Sequence, residues 1–264
     1  MAEKLKYFVN GQFRESKTDK WYDLHNPSTG EITGQAPCCT NDEVLEAIAA
    51  AKAAYPGWSA TPAIKRAQIL YRVRELILER MDELTMSVAK ENGKVWAESE
   101  GDVLKAKEGT ELATQVPSLM MGESIMDASR GYDTVKYREP LGVFAGIVPV
   151  NFPAMIPFGW MAPTCIATGN TLVLKAASLT PKTAMLFAQL YKDAGVPDGV
   201  INVVTCSRNE INTILEHPDV KGITFVGSTP VGLKIYEKAA ANGKRCQALC
   251  QAKNHALVME DCAL

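Results

Sequence analysis

Charge is missing from one long stretch of this sequence. Between Glu139 and Lys175 there is no Asp, Glu, Lys or Arg, in a chain where 22% of residues are charged. Such a gap belongs either in lipid or in dense protein interior. A bilayer helix needs about 20 apolar residues without strong breakers. Here Pro149, Pro153, Pro157 and Pro163 interrupt the run, with Asn151 and Asn170 inside it. Hydrocarbon would leave the backbone groups freed by those prolines unsatisfied. The run therefore predicts no membrane span but buried protein: a parallel strand at 143–148, an uncharged turn at 149–153, a buried helix and a second buried strand at 171–175.

Other absences narrow the class further. The opening MAEKLKYFVNG has no apolar signal core, which predicts a cytoplasmic protein. A net charge of −2, with scattered basic residues, gives no electrostatic reason to expect nucleic acid or an anionic membrane. The seven cysteines follow no disulfide spacing, which suits a reducing compartment. Cys246, Cys250, His255 and Cys262 are zinc-type ligands, but C-x3-C-x4-H-x6-C matches no standard finger, so small buried side chains are expected and no metal. Repeats and low-complexity segments are absent as well.

What is present is well punctuated. Tyr7-Phe8-Val9 runs into Asn10-Gly11, a strong hairpin signal, and the first forty residues read as antiparallel strands. Thr40 to Glu43 is a capping box before a helix over 44–55. Thr61-Pro62 opens a second helix, and 81–91 and 95–116 continue the helical pattern. Polar alternation through Tyr132, Thr134, Lys136 and Arg138 predicts an edge strand or protruding arm. After Pro140, strand, turn and helix repeat. Thr180-Pro181 caps a helix ending at Gly195, strands follow at 200–205 and 222–226, and Ser207 to Glu210 is a second capping box. A helix over 231–240 leads to strand candidates at 245–249 and 256–259. This alternation predicts an α/β fold, a parallel sheet with helices on both faces.

Open sheets of this kind hold ligands beyond the carboxyl ends of their strands. Asn151 and Lys175 stand at two such ends. Each also has a bland reading, Asn151 as a turn-former and Lys175 as a solvated strand end. The dinucleotide signature G-x-G-x-x-G is absent; the nearest segment, from Gly227 to Gly232, is no triphosphate loop either, because Leu233 separates Gly232 from Lys234. What remains is a strand, turn and helix in which Ser228 faces an anion or simply caps the helix.

Four segments in order carry a resemblance: PVNFP at 149–153, ATGNTLVLKAAS at 167–178, ITFVGSTPVG at 223–232 and GKRCQALCQAKNH at 243–255. Together they resemble the aldehyde dehydrogenase superfamily. The KNH ending and PAMIPFGWM are similar to its methylmalonate-semialdehyde (malonate-semialdehyde) dehydrogenase branch, which is CoA-acylating. The resemblance covers essentially the whole chain, VNGQF and NPSTGE included. It implies a Rossmann-like NAD(P)-binding domain from residues 1–123 and 140–264, and an oligomerisation arm at 124–139 serving a homo-oligomer, dimer or tetramer. The catalytic domain would lie outside this chain. The implied cofactor contacts are Val148, Pro149, Val150, Lys175, Ser178, Gly227, Ser228, Leu249 and Cys250. Of these, Pro149 and Val150 would lie along the nicotinamide ribose, Lys175 on the adenosine ribose, and Gly227 with Ser228 at the pyrophosphate. Asn151 would be an oxyanion-hole donor, stabilising the thiohemiacetal formed when a cysteine attacks the aldehyde.

Three departures from the family pattern shape further expectations. The nucleophilic cysteine is expected beyond Leu264, so the chain alone should be inactive. Leu249 stands where hydrolytic relatives hold a glutamate base, so the thioester should wait for CoA. Ser178 replaces the glutamate of many NAD-preferring relatives, which leaves NAD expected and NADP open. Gln251, where relatives usually have glycine, has no explanation at this level. The alternative is a non-catalytic dinucleotide-binding or oligomerisation module.

Overall fold

The charge-free strands lie where both sheet faces are covered. In the computed structural model, which describes residues 3–263, five strands run parallel: β7 (Val143–Ile147), β8 (Thr171–Lys175), β9 (Ile201–Val204), β10 (Val220–Val226) and β11 (Arg245–Leu249). β1 (Tyr7–Val9) joins β9 antiparallel, and β2 (Gln12–Arg14) joins β1, giving the order β11-β10-β7-β8-β9-β1-β2. Alternate side chains split the core into two. Leu172 and Leu174 share a cluster with Phe158, Ile166 and Phe187, whereas Val173 belongs with Ala47, Ile48 and Ile214. Helices α1 (Asn41–Ser59), α8 (Arg208–Glu216) and α9 (Thr229–Ala241) supply the second cluster. The first is built by α2 (Ala63–Glu79), α3 (Met81–Asn92), α4 (Trp96–Ala113), α6 (Ala162–Ala167) and α7 (Lys182–Asp193). This is the expected α/β fold with helices on both faces.

Both capping boxes form: Thr40 with Glu43, and Ser207 with Glu210. Asn10 and Gly11 take positive φ (51° and 70°), as the tight turn between β1 and β2 requires. Buried Asn170, a polar intrusion in the charge-free run, is satisfied: its Oδ1 accepts from the backbone of Leu141 (2.7 Å) and Gly142 (3.1 Å). A separate ribbon of β3 (Trp21–His25) and β4 (Ile32–Pro37) precedes α1. After the single turn α5 (Val116–Leu119), the hairpin of β5 (Glu123–Ser129) and β6 (Tyr132–Lys136) is exposed at every position.

Several local expectations are corrected. The helix expected over 95–116 splits, stopping at Ala113 and resuming as α5. Residues 256–259 form no strand; they are exposed, with no neighbouring strand among the described residues to complete their hydrogen bonds. Cys250 and Cys262 are exposed, not buried. The helix after the turn begins as a π-helix, Ile156–Met161, before α6. Pro163 cannot donate to the carbonyl of Gly159, and its ring would crowd that carbonyl in an α-turn; the wider turn relieves both. Thr180 does not cap α7, which has no side-chain cap from its own N-cap residue, Pro181. Glu91 of α3 takes that role, accepting from the backbone of Lys182 (2.8 Å) and Thr183 (3.0 Å).

Candidate functional site

From β7 the chain steps through β8 to β9 on one side, then returns to β10 on the other. Loops leaving β7 and β10 therefore diverge and open a crevice at their carboxyl ends. Register levels those ends: Ile147 pairs with Lys175 and Phe225, Lys175 with Val204, and Val226 with Leu249. Val148, Pro149, Val150 and Asn151 follow β7; Lys175 closes β8, with Ser178 just beyond. Gly227 and Ser228 follow β10, while Leu249 ends β11 and Cys250 follows it. The residues that the resemblance implies for cofactor and oxyanion contacts thus lie along one edge of the sheet.

A cleft of about 710 Å³ opens there on the face of α8 and α9, lined by Ile147, Lys175, Cys206, Arg208, Val231 and Lys234 among others. Burial lowers the pKa of Lys175 from its ordinary value. Lys175, Arg208 and Lys234 have no ion-pair partner among the described residues, and nearby Glu210 is occupied in capping Ser207. Unpaired cations around a cleft favour a polyanion. Ser228 is exposed at the N-cap of α9 and its side chain does not cap the helix, so its hydroxyl is left for another partner; Pro230 has no N–H, and the Val231 and Gly232 N–H groups bond back to the Ser228 carbonyl. The carboxamide of Gln251 accepts from the Thr229 hydroxyl at 3.4 Å, which ties the residue after Cys250 to the first turn of α9. Arg208 and Lys234 escaped the sequence reading because nothing in a helix's charge pattern says which face borders a crevice.

Leu249 lines a different cleft, about 420 Å³, with Gly109, Leu112, Trp160 and Val226. Its only carboxylate is that of Glu108, held by Lys105 at 2.6 Å. The thiols of buried Cys39 and Cys206 and of half-buried Cys165 are each pushed up to about 12 by desolvation. They are poor nucleophiles at neutral pH. Among the described residues, Cys246, Cys250, His255 and Cys262 do not converge, and no group of three or more His, Cys, Asp or Glu side chains could hold a metal ion.

The turn carrying Asn151 is braced by residues that sequence reasoning missed. Asn151 is exposed and its amide has no hydrogen-bond partner among the described residues. The Val150 carbonyl accepts from Asn92 Nδ2 (2.7 Å) and Thr180 Oγ1 (3.4 Å). Asp102, buried in α4, accepts from the backbone N–H of Met155 at 2.7 Å and pairs with Lys94 at 3.2 Å. Burial raises the pKa of Asp102 despite those partners, and pushes Glu91 up to about 7. One signal was available: Asp102 shares the stripe of Ser99, Val103 and Ala106, which is the buried face of α4.

Comparison with known proteins places these features in a family. The aldehyde dehydrogenase family model matches residues 13–264. Malonate-semialdehyde dehydrogenase 2 of Geobacillus kaustophilus (strain HTA426) is 46% identical over 263 residues, which is 100% of this chain and 54% of that protein. The mitochondrial, acylating methylmalonate-semialdehyde/malonate-semialdehyde dehydrogenase of Rattus norvegicus is 45% identical over 97% of this chain and 48% of its own length. The crystal structure of methylmalonate-semialdehyde dehydrogenase from Oceanimonas doudoroffii matches with a TM-score of 0.93 at 40% identity, over 96% of this chain and 51% of that one. A provisionally assigned methylmalonate-semialdehyde dehydrogenase from Sinorhizobium meliloti 1021, complexed with NAD, also reaches 0.93, at 36% identity over 97% of this chain and 52% of its own. The chain spans about half the length of the curated relatives it matches. With fold, strand-end motifs and similarity along nearly all of this chain in agreement, the chain belongs to the aldehyde dehydrogenase family.

Proposed function

We propose that this chain forms the NAD-binding part of a CoA-acylating dehydrogenase for malonate-semialdehyde-type aldehydes. The observation that carries the reading is the gathering of a free Asn151 amide, an unpaired Lys175 ammonium and an uncapped α9 N-terminus along one sheet edge. The acylating and NAD-complexed relatives support it. Lys175 would meet the adenosine ribose, and Gly227 with Ser228 the pyrophosphate at the α9 N-terminus. Val148, Pro149, Val150, Leu249 and Cys250 would border the nicotinamide half. Bound NAD supplies a hydride acceptor. Ser178 adds no carboxylate near the ribose, so a 2′-phosphate is not repelled.

Asn151 would donate to the substrate oxygen as it gains charge under thiol attack. The attacking thiol is not assigned to any cysteine of this chain. Leu249 cannot take a proton from water, so the acyl group is left for the more nucleophilic CoA thiol. The exposed β5 and β6 hairpin, with Ile125, Met126, Tyr132 and Val135 outward, would be the arm of a homo-oligomer. Seven unpaired cysteines agree with a reducing, cytoplasmic setting.

The test is turnover in the enzyme at its relatives' full length. Malonate semialdehyde and NAD should give one burst of NADH, then steady turnover only when CoA is added. Steady release of free acid without CoA would refute the acylating assignment.

A further inference from the structure

The amide at Asn151 is free while its neighbours are pinned. Val150 is held through its carbonyl by Asn92 and Thr180, at 2.7 and 3.4 Å. The ammonium of Lys94 lies 3.8 Å from the centroid of the Phe152 ring. Asp102 takes the Met155 N–H at 2.7 Å and holds Lys94 with its other oxygen at 3.2 Å. Asn92 ends α3, Lys94 lies in the link to α4 and Asp102 is in the first half of α4, while Thr180 comes from just before α7. Gly93, between Asn92 and Lys94, has a φ of +75°, and a side chain there would run into Pro27. That left-handed residue swings the chain so that Asn92 reaches Val150 and Lys94 reaches Phe152, one on each side of Asn151. Thr180 is in turn set by the start of α7, which Glu91 anchors from the residue before Asn92.

An oxyanion donor gains its effect from being aimed before the charge develops. A side chain on a loop between Pro149 and Pro153, with no regular hydrogen-bond ladder, has no intrinsic reason to hold one direction. We propose that Asn92, Lys94 and Asp102 are positioning residues for the Asn151 amide, clamping the 150–155 turn so that its one unpaired side chain points to the substrate oxygen. The inference rests on the oxyanion reading of Asn151. It adds a set of residues that touch neither substrate nor cofactor.

A double-mutant cycle in the enzyme at its relatives' full length tests it, read by single-turnover acylation with saturating NAD. Asn151→Ala should slow acylation by roughly 10²–10³, the usual loss for one such donor. Asn92→Asp keeps the shape but cannot donate to Val150; it should slow acylation about tenfold, the scale of a slightly misplaced group. The NAD dissociation constant should not move. In the Asn151→Ala background the same change should have almost no effect, because the group it aims is gone. Asp102→Asn, which retains an acceptor for Met155 but loses the charge that holds Lys94, should follow the same pattern more weakly. If Asn151→Ala leaves acylation at the wild-type rate, the oxyanion reading fails and this inference with it. If Asn151→Ala is slow but Asn92→Asp costs the same factor in both backgrounds, or weakens NAD in proportion, only the positioning role is overturned.

Discussion

At the scale of single residues, the chemistry of the crevice is set by which charges lack partners. Lys175 is desolvated and unpaired, a state that a ribose or phosphate oxygen would relieve. Ser178 beside it should therefore tune cofactor choice. Ser178→Glu is expected to weaken NADP by at least tenfold through like-charge repulsion at the 2′-phosphate, while NAD binding changes little. Titration calorimetry of both cofactors checks this; an unmoved NADP dissociation constant would mean that residue 178 does not face the ribose. Glu91 makes a different prediction. Burial raises its pKa from 4.5 to about 7, although two backbone N–H groups and the start of a helix favour the ionised form. A carboxyl raised in the folded state contributes stability that is full below about 4.5 and lost as pH climbs through about 7, on the order of 3 kcal/mol. Wild type should lose stability relative to Glu91→Gln between pH 5 and 8. Denaturation curves that stay parallel across that range would contradict the assignment.

At the scale of elements, the site depends on how closely α4 meets the π-helix. A Cβ at Gly109 would strike the Gly159 backbone, and one at Gly159 would lie 2.9 Å from the Lys105 carbonyl. Two glycines thus let α4 reach the segment that follows the Asn151 turn, which brings Asp102 to Met155. Gly109→Ala should gain about 1 kcal/mol of helix propensity yet lose roughly 1–3 kcal/mol to overpacking against backbone that cannot yield. The expected net result is a lower urea midpoint and slower acylation together. A variant more stable than wild type would show that the approach has slack. The π-turn itself could not be read from sequence. Pro163 marks an irregularity, but a proline there could equally end or kink a helix, and only the folded chain shows that the turn widens instead.

For the whole molecule, fold and catalysis separate. The five parallel strands and the crevice at their carboxyl ends lie within these residues, so the 264-residue chain should bind NAD, and Lys175→Ala should weaken that binding. Desolvation keeps the Cys39, Cys165 and Cys206 thiols protonated, and none of the other cysteines is assigned as the nucleophile, so the same preparation should form no NADH from malonate semialdehyde. Enzyme-dependent NADH production by this chain would place the nucleophile among its own cysteines and overturn the reading.

Much of this architecture was legible in the amino-acid order. Capping boxes at Thr40 and Ser207, the Asn10-Gly11 turn and the charge-free run each report a short-range rule, and strand-helix alternation extends those rules to a parallel sheet. Asn151, Lys175 and Ser228 could be found because a strand's carboxyl end is a place along the chain. Glu91 and Asn92 could not, since on an isolated helix they are ordinary polar residues, and Asp102 offered only its place in the buried stripe of α4. Burial turns Glu91 and Asp102 into anchors, and which helix face is covered depends on strand order and on two glycines letting α4 close in. Such contacts join segments about fifty to ninety residues apart, so the aim of the Asn151 amide emerges from packing and from no local pattern.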